Sequence, residues 1–198
     1  MYAVQARYRG REKRRGAFVS RVAQALSNLV DGPCKVDGID ELSLATTNPR
    51  NIADAIMALV ATGEWVVGVG ITHQAGIADT ERAHNVACTA LGRVRRAGAV
   101  SVKIDGRAHG LDKKLPEDIA ATFEMLRFVA SRRTPEGQEA TRLVRTGMTQ
   151  LEAATELGIS KQAMSQRLQA AGWQAEKVGF ELAIRQLARA HGDTEIPD

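Results

Sequence analysis

Cysteine is nearly absent from this chain: 198 residues hold two, Cys34 and Cys88, far apart and in no CxxC pair. That excludes a disulfide framework and a four-cysteine zinc site, and it leads us to expect a reducing, cytoplasmic setting. Aromatics make up only 4%, so aliphatic and alanine contacts must dominate the packing. No apolar run approaches the roughly 18–20 residues of a membrane-spanning helix, and the N-terminus lacks the apolar region of a signal peptide. Neither charge sign prevails. Lys and Arg total 27 against 23 Asp and Glu, a net +4 that permits a polyanionic partner without demanding one. Catalytic signatures are missing too, since no Ser/His/Asp or Cys/His arrangement stands out. Gly68-Val69-Gly70 lies inside an apolar run with His73 beyond it, which is neither a dinucleotide fingerprint nor a P-loop. Its glycines are expected to let a helix pack closely or to mark a bulge.

What the chain does have is concentrated in TQLEAATELGISKQAMSQRLQAAG, residues 149–172. The segment reads as two short helices around a turn at Leu157-Gly158-Ile159-Ser160. Thr149 caps the first, with Glu152 three residues on completing a capping box. Gly158 tolerates positive φ after that helix, and Ser160 caps the second. Met164, Leu168 and Ala171 give the second helix an inward face. Its remaining side chains are Lys161, Gln162, Ser165, Gln166, Arg167 and Gln169, all hydrogen-bonding and none acidic. A plain helical hairpin usually carries carboxylates paired with lysines on its outer face, so this composition points to DNA. Gln162 or Gln166 suits an adenine edge, and Arg167 a guanine edge or a phosphate. Ser160 and Lys161 stand at a helix N-terminus, where backbone N–H groups attract phosphate. Thr149 and Gln150 begin the helix expected to cross the DNA backbone.

The rest divides into two patterns. Residues 1–110 alternate strand-like and helical runs in the order β-α-β-β-α-β-α-β. They predict an α+β fold whose N-terminal part is a ferredoxin-like or palm-like α/β sandwich. The predicted strands lie at 1–7, around the turn Asp37-Gly38-Ile39-Asp40, at 65–71 and at 99–104; the predicted helices lie at 16–29, 49–62 and 80–96. Residues 105–116 read as a linker, and 116–192 as an all-α domain with the helix-turn-helix at 149–171. Val178, Leu182 and Leu187 on the final helix are candidates for a dimer contact or for covering the helix-turn-helix. The polar tail from His191 is expected to fray.

Three smaller features have ordinary readings beside functional ones. The basic opening Arg7, Arg9, Arg11, Lys13, Arg14 and Arg15 is either a solvated loop or an added phosphate surface. Asp37, Asp40 and Glu41 read as turn residues rather than a cation site. His84 and Cys88 share a helix face at a spacing that zinc sites use, but no second pair exists, so a part-buried histidine and a core cysteine are expected.

The run RRTPEGQEATRLVRTGMTQLEAATELGISKQAMSQRLQAAGW, together with GIDELSLATTNPRNIADAIMALVATGEWVVGVGI, resembles actinobacterial DNA-binding proteins. These pair a SatD-like N-terminal domain with a helix-turn-helix and are often labelled MarR-type regulators. The resemblance implies a palm-like N-terminal domain bearing an acidic Gly-Asp-Glu turn and an aspartate on its first strand. Asp40 and Glu41 match the acidic pair, whereas Ile39 replaces the glycine and the first strand has no aspartate. No β-wing pattern follows the second helix.

The expectation is a cytoplasmic, nucleoid-associated transcriptional regulator, not an enzyme. Its partner is double-stranded DNA, and it acts as a homodimer with an effector possible at the N-terminal domain. No catalytic residue, metal or cofactor is expected. The alternative is a cyclase-like nucleotide-binding or nucleotide-processing enzyme whose helical tail mediates contacts.

Overall fold

A computed structural model describes residues 1–30, 32–73, 77–92, 96–106 and 113–192. Among these, five strands and eight helices form a mixed α+β fold around one open sheet. The strands are β1 (Tyr2–Tyr8), β2 (Cys34–Val36), β3 (Glu41–Thr46), β4 (Trp65–Ile71) and β5 (Val100–Ile104). They lie in the order β2-β3-β1-β4-β5. β1 is antiparallel to both β3 and β4, β2 is antiparallel to β3, and β4 runs parallel to β5. The helices are α1 (Arg15–Leu29), α2 (Pro49–Val60), α3 (Ile77–Leu91), α4 (Leu115–Ser131), α5 (Pro135–Arg145), α6 (Gln150–Glu156), α7 (Lys161–Ala170) and α8 (Trp173–His191).

The two faces of the sheet differ because successive strand residues point to opposite sides. Tyr2, Val4, Ala6 and Tyr8 of β1 join Val67, Val69 and Ile71 of β4 in the main buried cluster. The opposite face carries Ala3, Gly68 and Gly70, and α3 lies directly on it. A Cβ at Gly68 would collide with the Ala87 carbonyl, and one at Gly70 with the Ala83 carbonyl. The expected close helix approach is therefore what these glycines permit. On α3 the buried stripe is itself small, Ala83, Ala87 and Ala90, with Leu91 buried at the helix end. Cys88 falls beside that stripe and is exposed, against the expectation of a core cysteine.

The main cluster does not end with the sheet. Leu115, Ile119, Phe123 and Leu126 of α4, with Ala183, Ile184 and Leu187 of α8, belong to it. The Tyr2 hydroxyl donates to the Leu187 carbonyl at 3.2 Å, tying β1 to α8. Buried packing thus crosses the division expected near residues 110–116. α4 and α8 run antiparallel: Thr122 Oγ1 meets Gln186 Oε1 at 2.8 Å, and Cβ atoms at Gly179 and Gly172 would meet Leu126 and Val129. Leu187 is buried, while Val178 and Leu182 are exposed. The three do not share a face, because Leu187 lies five residues beyond Leu182 and so well round the helix.

Most observed elements begin and end near the expected positions. α8 starts at Trp173 with no loop before it, because Gly172 adopts φ 65 and turns the chain straight from α7 into α8. The central part of the expected linker (107–112), the expected end of α3 (93–95) and the tail (193–198) lie outside the described residues.

Candidate nucleic-acid interface

α5, α6 and α7 close on a second buried cluster of Ala140, Leu143, Ala153, Ala154, Met164 and Leu168. Alanine at positions 153 and 154 keeps α6 thin enough for α7 to cross it closely. Every turn in this triplet carries its own local signal. Thr134 accepts from the Gly137 N–H at 3.2 Å ahead of Pro135. Thr149 Oγ1 accepts from the Glu152 N–H at 3.2 Å, while Glu152 Oε2 accepts from the Thr149 N–H at 2.8 Å, completing the capping box. That bonding to Thr149 holds the Glu152 carboxyl below its usual range. Gly158 takes φ 62, and Ser160 Oγ accepts from the Ala163 N–H at 3.1 Å.

The packing of Met164 and Leu168 fixes what α7 shows to solvent. Gln162, Ser165, Gln166 and Gln169 are exposed at i, i+3, i+4 and i+7, one stripe opposite the buried pair. Lys161 is exposed at the edge of that stripe, and Ser160, Thr149 and Gln150 are exposed at the two helix starts. Arg167 is not brought onto the stripe. It is half-buried on the other side of α7, towards α5. There the Glu136 carboxyl is held below its usual range by the backbone N–H at its own position, by Thr134, and to a lesser degree by Arg167.

Arg142 on α5, exposed and without an ion pair among the described residues, is a cation of the triplet that the sequence reading left unassigned. The signal for it was its place in the last turn of a helix whose opposite side packs on α6 and α7.

A buried carboxylate joins the triplet to the rest of the molecule. Glu176, in the first turn of α8, accepts from both Arg133 and Arg145. The side chains of Arg133 and Glu176 are 4% and 6% exposed, that of Arg145 51%. Arg133 Nε also donates to the Ala171 carbonyl at 2.9 Å, and the Arg145 guanidinium stands 5.7 Å from the Trp173 ring centre.

Elsewhere, Arg11, Lys13 and Arg14 on the β1–α1 loop and Arg15 at the start of α1 are exposed; the loop is anchored beside the α2–β4 turn, where the Arg9 N–H donates to the Glu64 carbonyl at 2.7 Å. Glu41 accepts from Arg7 at 2.6 Å and from Gln5 at 2.8 Å across the β1–β3 pair. At the β2–β3 turn the Asp37 N–H donates to the Glu41 carbonyl at 2.8 Å, and the Asp40 carbonyl accepts from the Tyr8 N–H at the end of β1 at 2.7 Å. Among the described residues no group of three His, Cys, Asp or Glu side chains is arranged to hold a metal ion. His84 Nε2 lies 3.7 Å from Cys88 Sγ. No helix among the described residues is long and apolar enough to cross a membrane.

No protein-family model, no curated protein and no solved structure matches this chain.

Proposed function

We propose that this protein is a sequence-specific DNA-binding transcriptional regulator in which α6 and α7 form a helix-turn-helix and α7 enters the major groove. The observation that carries the reading is the exposed stripe Gln162, Ser165, Gln166 and Gln169, bordered by Lys161 and free of carboxylates. Glutamine amides suit bidentate pairing with adenine edges, and serine suits either purine or pyrimidine. In this reading Lys161, Ser160, Thr149 and Gln150 meet phosphates, with Arg142 as a further cation. Arg167, turned away beside Glu136, suits a flanking phosphate better than a base. The basic segment Arg11, Lys13, Arg14 and Arg15, a loop running into the start of α1, adds a second surface for a polyanion.

A homodimer fits this reading, because one short recognition helix makes few base contacts and two half-sites multiply them. Met125 and Phe128 on α4 and Val178 and Leu182 on α8 leave apolar side chains on the outer face of the antiparallel pair. Asp118 and Arg132 bracket the α4 stripe, and neither makes an ion pair among the described residues. An antiparallel approach of a second copy would set each Asp118 against the other copy's Arg132, the self-complementarity that a two-fold interface requires.

For the N-terminal part we propose a palm-like, ferredoxin-like unit, since β2-β3-β1-β4 is the order two interleaved βαβ units produce, with β5 added in parallel. Its role in this reading is regulatory, in a cytoplasmic, nucleoid-associated protein. The nucleotide-processing alternative would need Asp40 and Glu41 free to act, whereas Glu41 is engaged by Arg7 and Gln5.

Selection from a random duplex pool, followed by titrations at several salt concentrations, tests the assignment. Gln162→Ala and Gln166→Ala should each erode preference for the selected site by about 1–3 kcal/mol. Lys161→Ala should weaken all sequences alike and flatten the salt slope by about one unit. Equal binding by wild type and the Lys161/Gln162/Gln166 triple-alanine variant refutes the role of α7.

A further inference from the structure

A cavity of about 920 Å³ lies between the outer face of α2 and the side of α5, closed by the end of α4 and the start of α8. Its size falls in the range of about 300–1,000 Å³ that takes drug-sized molecules. The walls are largely apolar: Met57 and Ala58 from α2, Val144 from α5, and Trp173 and Phe180 from α8.

The charges around it are unequally satisfied. Arg133 and Arg145 are both engaged by Glu176, and Arg50 pairs with Glu181 at 3.0 Å. Lys177 is exposed at the rim. Asp54, one turn along α2 from Arg50, differs from these arginines and from the solvated Lys177. It is half-buried and makes no hydrogen bond or ion pair with any described residue. Burial raises its pKa above the ordinary value and Glu181 adds to the rise, against the opposing pull of Arg50 and Arg145. An unmatched carboxylate on an apolar wall is costly unless something supplies a donor. An anionic ligand would find each arginine already held by a glutamate and only the solvated Lys177 at the rim, whereas a cation would find Asp54 open on the wall itself.

We propose that this cavity binds a hydrophobic organic cation bearing N–H groups, with its charge met by Asp54 and its flat body against Trp173 and Phe180. The inference does not rest on the DNA-binding reading, and it is tested without DNA. Two dyes of the same ring system, the cation rhodamine 6G and the anion fluorescein, are titrated with the full chain and read by fluorescence anisotropy. Rhodamine 6G should bind saturably, and fluorescein roughly tenfold or more weakly. Asp54→Asn should weaken rhodamine 6G by roughly tenfold or more, the scale of one charge-assisted hydrogen bond. Ala58→Trp, which places bulk in the cavity from an exposed helix position, should abolish binding. Thermal melting of both variants checks that they fold. Unsaturable rhodamine 6G binding, fluorescein binding as tightly, or unchanged affinity in either folded variant would each overturn the proposal.

Discussion

Replacing Glu176 with alanine is the sharpest test of how the helical triplet is held. Arg133 is almost fully enclosed, so the substitution leaves a buried guanidinium with only the Ala171 carbonyl as its remaining acceptor. Breaking a buried pair by removing one partner costs about 3–5 kcal/mol, mostly because the surviving charge stays desolvated. For a chain of this size each kcal/mol shifts the melting temperature by about 2–4 °C, so a fall of roughly 6–20 °C is expected. Arg145→Ala removes the other arm of the same carboxylate, but that arginine is half-exposed and its loss is solvated. Its cost should be about 1 kcal/mol or less for the ion pair, plus about 0.5–1 kcal/mol for the contact with Trp173. Urea unfolding followed by circular dichroism measures both. The double variant Arg133→Met/Glu176→Leu, which replaces the enclosed pair with apolar groups of similar bulk, should recover most of the stability lost in Glu176→Ala. If Glu176→Ala costs no more than Arg145→Ala, the buried node does not hold the triplet and the reasoning fails.

Other consequences follow from the packing. Gly70→Ala should destabilise by about 1–3 kcal/mol or more, because the added methyl meets the Ala83 backbone rather than a movable side chain; a neutral result in urea unfolding would contradict the close approach of α3. Phe128→Glu with Leu182→Glu should leave the melting temperature nearly unchanged and give a monomer in sedimentation, whereas a dimer unaffected by both charges places the contact elsewhere. Burial, aided by Asp37, pushes the Cys34 thiol up to about 11. In a Cys88→Ser background its alkylation rate should therefore still be climbing well above pH 9, while a thiol of ordinary pKa near 8.5 has levelled off. Because the folded pKa is the higher one, the associated stability is present below about pH 8.5 and is lost as pH rises through about 11.

Legibility in the sequence followed the range of the interactions involved. The bounds of β4 were readable because its apolar run is continuous. α6 and α7 were readable because Thr149, Gly158 and Ser160 each act on backbone within three residues. The exposed stripe of α7 came with them, since the places of Met164 and Leu168 on a helix fix what lies opposite. Arg167 was misjudged for the same reason in reverse: composition placed it among the outer side chains, while the helix turns it towards Glu136 on α5. Strand order was not readable, because alternation tells which side of β1 is apolar and not which strand lies beside it. The Glu176 node had no local sign either, its arginines being 43 and 31 residues away in sequence. Cys88 looked like core because cysteine usually is. The glycine face beneath α3 instead selects the alanine stripe and leaves the neighbouring position outside.

α8 links the two buried clusters in a way that bears on regulation. Trp173 at its start packs on the triplet cluster, and Ala183, Ile184 and Leu187 further along belong to the sheet cluster. The triplet meets the rest of the molecule chiefly through that first turn, through Arg133 and Arg145 on Glu176, and across the cavity walled by α2 and α5. A rotation of the triplet about this joint would leave the sheet undisturbed and carry α7 with it as a unit, because the cluster of α5, α6 and α7 is closed on itself. In the proposed dimer through α4 and α8, such a rotation changes the separation of two recognition helices that must meet half-sites about 34 Å apart. An occupant of the cavity touches α2 on one side and α5 on the other. Under the proposed function, it is thereby placed to change DNA affinity while leaving every side chain of the α7 stripe unaltered.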